Sequence, residues 1–367
     1  MSTAPDVVIV GGGVIGLTAA YCLAREQISV EIVDKGDFGQ EASWAGAGIL
    51  LPGDSARAPT PADQLRGLSA AAFPILSAEL KEETGIDNGY LRCGGLEFLG
   101  TESAAADEWR GEGIAYELVS GKELRQLEPR LAPELKQAYS LPQAAQVRNP
   151  RHLKALLAGC RKRGVRLRSG CPVLGFERQG ERITALKTSA ESLPAGRFVV
   201  ASGAWSDALV EQVGWRPGIY PVRGQIALIN TGAPVISRLL FQGKRYIVPR
   251  PDSRVLVGST EENAGFDKRT TARAIGDLVQ FAMQLVPALA DCPLERSWAG
   301  LRPGSPDGLP FLGPVPGCSN LFVAAGHFRS GIQWSPATAR LLVELMTGRA
   351  TAIPLGPFRL DRVKNTR

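Results

Sequence analysis

Gly11, Gly13 and Gly16 stand at the spacing of a dinucleotide-binding turn, and Asp34 follows about 20 residues on. Each glycine has its own task in such a turn. Gly11 permits the tight bend, Gly13 lets the backbone approach a pyrophosphate, and Gly16 lets the following helix pack close to the sheet. Asp34 sits where a carboxylate meets a ribose 2′-hydroxyl, and it argues against a 2′-phosphorylated ribose, which it would repel. The fingerprint does not separate NAD from FAD. A second segment of small residues, Glu41-Ala42-Ser43-Trp44-Ala45-Gly46-Ala47-Gly48-Ile49, supplies N–H groups without side-chain bulk. Two such segments suit an extended cofactor.

Other chemistries fall away on residue type. Only two histidines, His152 and His327, accompany six cysteines at 22, 93, 160, 171, 292 and 318, none in a CxxC pair. That composition argues against a metal centre and reads as reduced, mostly structural thiols. It also offers no credible Ser/His/Asp arrangement. Arginine binds carboxylates through a two-pronged fork, and a tyrosine hydroxyl can add a third hydrogen bond.

The elements that must position these groups begin with an apolar strand at 7–10, a helix at 17–25 and a strand at 29–34. A helix is expected over 63–83, kinked or divided at Pro74. A strand pair or bent strand is expected around Gly94-Gly95, and short helices from Thr101 to Leu127. Asn149-Pro150 reads as a cap and first turn opening a helix to about Arg163, with His152 at a surface or sheet edge. Short strands follow near 165–167, 172–177 and 182–187. A buried strand at 198–201 ends in Ser202-Gly203-Ala204-Trp205. The stretch 218–258 is β-rich, 271–285 is helical, and 294–301 is a further strand. A last buried strand at 321–325 precedes Gly326-His327-Phe328-Arg329-Ser330-Gly331. Ser335-Pro336 is expected to cap the final helix, and the basic tail from Leu360 to fray.

The chain has 367 residues, 44% hydrophobic and 21% charged, with 42 glycines and 26 prolines, enough for two domains. Its net charge of +6 lacks a basic block, so nucleic acid is not an expected partner; the charge suits anionic cofactors or carboxylates. The uncharged stretch from Val7 to Ala24 is broken by glycines and resembles neither a secretory signal nor a membrane span, which points to a cytoplasmic protein. The fold class is α/β: a Rossmann-like cofactor domain (1–50, 140–215 and 298–367) interleaved with a β-rich α+β substrate domain (51–139 and 216–297). Such interleaving favours a flavin over NAD.

These residues together resemble the glycine oxidase and D-amino-acid oxidase family of FAD enzymes, over essentially the whole chain. The most distinctive parts are the opening fingerprint, Ser43–Gly48, Ala201-Ser202-Gly203-Ala204-Trp205-Ser206, Trp298-Ala299-Gly300-Leu301-Arg302-Pro303 and the 326–331 segment. The resemblance implies FAD contacts from Gly11, Gly13, Val14, Ile15 and Gly16 in the turn, with Asp34 and Lys35 at the adenosine ribose. It places Ser43, Trp44, Ala45, Gly46, Ala47 and Gly48 along the pyrophosphate and isoalloxazine, and Val173 at adenine. Ser202, Gly203 and Trp205 follow at the next strand's end. Gly300, Arg302, His327, Phe328, Arg329, Ser330, Gly331 and Ile332 lie about the flavin and ribityl chain, with His327 in a supporting role rather than as a general base. Tyr246 and Arg302 match the pair that clamps the substrate carboxylate, and Arg329 a further arginine beside the flavin.

The implied reaction is oxidative deamination of glycine or a small amino acid. Hydride passes to FAD, oxygen is reduced to hydrogen peroxide, and a 2-oxo acid and ammonia are released. The resemblance also implies a homotetramer and a place in the thiazole branch of thiamine synthesis. FAD is expected to be held without a covalent bond, since Glu41–Leu50 contains no cysteine or histidine. The alternatives are an oxidase of sarcosine, D-proline or another D-amino acid, a quinone-linked relative, an NAD dehydrogenase, and a flavin-binding sensor.

Overall fold

The computed structural model describes residues 4–99 and 104–363. Val7–Val10 is apolar at every position because both faces of its strand are covered. Val7 and Ile9 pack with the helices Val14–Arg25, Pro61–Thr84, Asn149–Lys162 and Gly331–Met346, while Val8 and Val10 pack with Ile183, Leu186 and Leu193 of a three-stranded sheet. The strand sits inside a six-stranded sheet ordered Phe311–Pro314, Leu321–Ala325, Arg197–Val200, Val7–Val10, Val30–Val33 and Arg166–Arg168. All neighbours are parallel except the outermost Phe311–Pro314.

A second sheet has eight strands, ordered Leu294–Gly304, Tyr220–Asn230, Arg254–Gly258, Arg245–Arg250, Leu239–Gln242, Gly95–Glu97, Gln137–Leu141 and Glu117–Ser120. Its strands alternate strictly. Ala227, Ile229, Ile247, Val255 and Val257 bury against the helix Ala272–Leu285, whereas Ile226, Tyr246, Val248 and Leu256 point to the opposite face. That opposite face looks toward the six-stranded sheet, with the 41–49 segment between them. Trp298 Nε1 donates to the Ala45 carbonyl (3.0 Å), and Arg250 donates to the Ala47 carbonyl (2.7 Å).

Several expectations are corrected. Pro74 lies inside one uninterrupted helix, Pro61–Thr84. The small-residue segment contains a helical turn, Ala42–Ala45, and a short strand, Ile49–Leu50. Around Gly94-Gly95 the described residues form an isolated bridge from Leu91 to Gln146 and the three-residue strand Gly95–Glu97. Asn149 is not a cap: Arg148 holds that position, and the Asn149 side chain donates to the Ser43 carbonyl instead (2.8 Å). His152 is fully buried, stacked near Phe73 and hydrogen-bonded to Asn88, because the first turn of its helix packs under Pro61–Thr84. The last helix starts at Gly331, so Ser335-Pro336 is interior to it. Leu360 is buried, and Arg362 ties the tail to Asp307 (2.7 Å). The expected bounds near 140 and 298 cut through Gln137–Leu141 and Leu294–Gly304, strands held whole by their pairing. Within 101–127, a strand Glu117–Ser120 lies between two helices; Thr101, where short helices were expected to begin, lies outside the described residues.

Gly16 carries a test of the turn. A Cβ there would lie 1.9 Å from the Gly11 carbonyl oxygen, whereas one at Gly36 meets nothing within 4 Å. Gly16→Ala should lower the urea midpoint by the equivalent of about 1–3 kcal/mol, with Gly36→Ala near neutral. Equal midpoints for the two variants would contradict this packing.

Candidate functional site

The ends of the parallel strands open onto a cleft of ≈ 470 Å³, within the usual range for ligand sites. It runs from Pro172 and Val173, past Gly11, Gly13, Val14 and Ile15, to Arg302 and the 327–332 segment. Gly11 takes φ +110°, and its missing Cβ leaves room for the Ala201 carbonyl, which would otherwise be 2.5 Å away. A Cβ on Gly13 would meet only the Ser43 hydroxyl at 3.1 Å, so bare backbone faces the cleft there. The helix Val14–Arg25 begins with no side-chain cap. Ser43 Oγ accepts from the Val14 N–H (2.9 Å), and the remaining first-turn donors are left for an anion. Asp34 accepts from the Gly12 N–H (2.7 Å) and the Gly36 N–H (2.9 Å), so one carboxylate both pins the glycine turn and lines the cleft. A bare-backbone approach, an uncapped helix start and an acid beside them fit the pyrophosphate and ribose of FAD.

Most of the remaining expected cofactor residues also reach this cleft. Lys35, Ser43, Gly46, Ser202, Gly203, Trp205, His327, Phe328, Arg329, Gly331 and Ile332 line it. Lys35 lies over the Trp205 ring, 3.3 Å from its centre. Ala45, Ala47, Gly48 and Gly300 line a smaller adjoining cavity instead. Gly16, Trp44 and Ser330 line neither: Gly16 packs on Gly11, and Trp44 meets Trp298 edge-on. His327 is buried, shares a hydrogen bond with Thr338 (3.0 Å), and is pushed down to about 3 by burial. It stays neutral at ordinary pH and is not poised as a general base.

The smaller cavity, ≈ 100 Å³, has the share of about three water molecules. Tyr246, Arg302 and Arg329 all line it, with Ser259, Gly224, Ile226 and Gln333. The geometry follows from the eight-stranded sheet. Gly224 pairs with Gly300, and Tyr246 with Gly258. A Cβ at Gly224 would fall 2.2 Å from the Arg302 guanidinium, and one at Gly258 would fall 2.6 Å from the Tyr246 ring. Both long side chains therefore lie flat across glycine floor tiles, with the Tyr246 hydroxyl beside the guanidinium. Arg302 donates to the Thr260 carbonyl (2.9 Å) and the Ser259 hydroxyl (2.7 Å). Burial pulls its pKa below the usual arginine value, and among the described residues it has no carboxylate partner. Among the described residues, no aspartate, glutamate or histidine lines this cavity.

Sequence reasoning missed Gly224, Gly258, Ser259 and Thr260. A signal existed for the two glycines, since glycine inside a strand marks a close approach. None existed for Ser259 and Thr260, whose partners are set by the fold.

The family model for FAD dependent oxidoreductase matches residues 6–345. A glycine oxidase of Pseudomonas aeruginosa is 37% identical over 355 residues, covering 96% of this chain and 97% of that protein. The bifunctional ThiO/ThiG protein of Trichormus variabilis is 33% identical over 97% of this chain and 55% of its own length. The crystal structure of glycine oxidase from Geobacillus kaustophilus superposes with a TM-score of 0.92 at 36% identity, covering 99% of this chain and 100% of that one.

Replacing Asp34 by alanine removes an acceptor from two turn N–H groups, and would remove one from the ribose as well if FAD lies as the family resemblance implies. Reconstitution of apoprotein should show FAD affinity reduced by about 1–3 kcal/mol, roughly tenfold to a hundredfold. Unchanged affinity would take Asp34 out of the cofactor site.

Proposed function

We propose, from the premise that this chain belongs to the FAD dependent oxidoreductase family, that it oxidatively deaminates glycine and similarly small amino acids. The observation that carries this reading is the Arg302–Tyr246 pair lying in a cavity of only ≈ 100 Å³ at the end of the cofactor cleft. The overall conversion is glycine, oxygen and water to glyoxylate, ammonia and hydrogen peroxide.

FAD, when bound, supplies the acceptor for the two electrons that leave the α-carbon, and oxygen takes them from there. The protein's part is orientation and charge. Arg302 is held on one side by Thr260 and Ser259, which leaves its outer edge to grip the substrate carboxylate, with the Tyr246 hydroxyl as a further donor. Arg302 places positive charge at the cavity, which favours the neutral amine over the ammonium form. No side-chain base is required, in keeping with a lining that has no carboxylate or imidazole. Ala47, Ile49 and Ile226 form apolar walls that keep the site dry, and the small volume disfavours bulky side chains.

The two-part division is also proposed, with the borders of the substrate part moved outward to keep its strands whole. A cytoplasmic homo-oligomer serving thiamine thiazole synthesis completes the reading, supported by the family resemblance and by the ThiO/ThiG relative.

Arg302→Met would leave the substrate carboxylate without its cation, a loss of about 2–5 kcal/mol. KM for glycine should rise at least roughly tenfold to a hundredfold, at about 1.4 kcal/mol per factor of ten, while FAD content stays near normal. Tyr246→Phe removes one neutral hydroxyl and should be milder. Peroxide-release kinetics and flavin absorbance check both variants. A fully flavin-loaded Arg302→Met enzyme with wild-type KM would overturn the assignment.

A further inference from the structure

Two arginines reach the small cavity, and their charges are met differently. Arg302 donates to a carbonyl and a hydroxyl, both neutral. Arg329 donates to the Glu261 carboxylate, which Lys244 also approaches at 3.6 Å. The pairing joins the two halves of the site. Arg329 follows the last strand of the six-stranded sheet, while Glu261 lies three residues past the Arg254–Gly258 strand of the eight-stranded one. Ser259 and Thr260, which hold Arg302, immediately precede Glu261 in the chain. One short segment thus positions one arginine and neutralises the other. Glu261 is also close enough for its charge to act on Arg302, and Arg329 in turn keeps the Glu261 carboxyl below its ordinary value, hence ionised.

We propose that Glu261 determines the charge specificity of the site: it occupies Arg329, leaves Arg302 as the one cavity-lining cation, among the described residues, free for a carboxylate, and repels a second carboxylate. This rests on the reading that the cavity takes the carboxylate of an amino acid. The physical warrant is that discrimination here needs a repulsive element as well as an attractive one. Two arginines lining one cavity would otherwise form a ready site for a dicarboxylate such as iminodiacetate, with one fork for each end. Glu261 already engages the second guanidinium, so a dicarboxylate must displace it or place like charges together. Glycine and sarcosine carry a single carboxylate and are spared that conflict.

The test uses FAD-loaded protein and two ligands that differ by one carboxylate. Methoxyacetate and diglycolate are unreactive counterparts of sarcosine and iminodiacetate, and their binding is read from perturbation of the flavin spectrum. Relative to wild type, Glu261→Gln should lower the ratio of the diglycolate Kd to the methoxyacetate Kd by about tenfold or more. The ratio of kcat/KM for iminodiacetate to that for sarcosine should rise in parallel. Glu261→Asp keeps the negative charge and should keep the wild-type ratios. Ratios in Glu261→Gln within about twofold of wild type would overturn the proposal, as would Gln-like ratios in Glu261→Asp. If wild type oxidises glycine and binds methoxyacetate while Glu261→Gln changes nothing, the specificity role fails alone. If wild type does neither, the carboxylate site fails and takes this proposal with it.

Discussion

A half-buried guanidinium, Arg302, with no carboxylate paired to it among the described residues is the constraint on which the rest of this site depends. Removing such a charge from solvent is costly, and the protein offsets the cost only in part, through the Thr260 carbonyl and the Ser259 hydroxyl. Neutral partners leave the charge itself unpaired, and under the proposed function an incoming carboxylate would complete the pairing. The sheet must be built around this side chain. Gly224 and Gly258 stand where any Cβ would collide with Arg302 or Tyr246, and Gly300 stands where one would meet the Ala45 methyl at 2.5 Å. Glycine weakens a strand, and here the loss is accepted at positions that share one face of one sheet.

The second requirement is that this face be brought against the cofactor cleft. The 41–49 segment does so as a shared wall. It is tied to the eight-stranded sheet through Trp298 and Arg250, and to the dinucleotide turn through Ser43. Residues of that one segment line both cavities, Ser43 the larger, Ala45 and Ala47 the smaller. Small side chains are needed because two layers approach from opposite sides. Arg250, buried and pulled down to about 10 by burial, is the clamp on the outer side, donating to carbonyls of Ala47 and Val147.

How much of this was legible depended on whether the determinant was local. The glycine turn, its flanking strands and Asp34 lie within one short stretch, where Gly11 makes the bend and Gly16 the close packing that their spacing implied. Long amphipathic elements such as Ala272–Leu285 were legible from period alone, and Thr271 caps that helix. The strands Leu239–Gln242 and Phe311–Pro314 were not, because a four-residue apolar run carries no period of its own. Local cues also misled where tertiary contacts won. Asn149 resembles a cap, but its amide is drawn to Ser43; His152 looks polar enough for the surface, but its helix start is covered. At the site, Tyr246 and Arg302 were named through the family resemblance, and the fold brings them side by side from strands far apart in sequence. Glu261 carried no sequence signal, since an exposed-looking acid after a strand has meaning only once Arg329 arrives from the other sheet.

Under the proposed function, a small amino acid held by its carboxylate on Arg302 delivers its electrons to the bound flavin. Anaerobic addition of glycine to the purified yellow holoprotein, followed by visible absorbance, tests it most directly. The oxidised flavin bands should bleach and return when oxygen is admitted. A flavin that stays oxidised under saturating glycine, and under sarcosine, would contradict it.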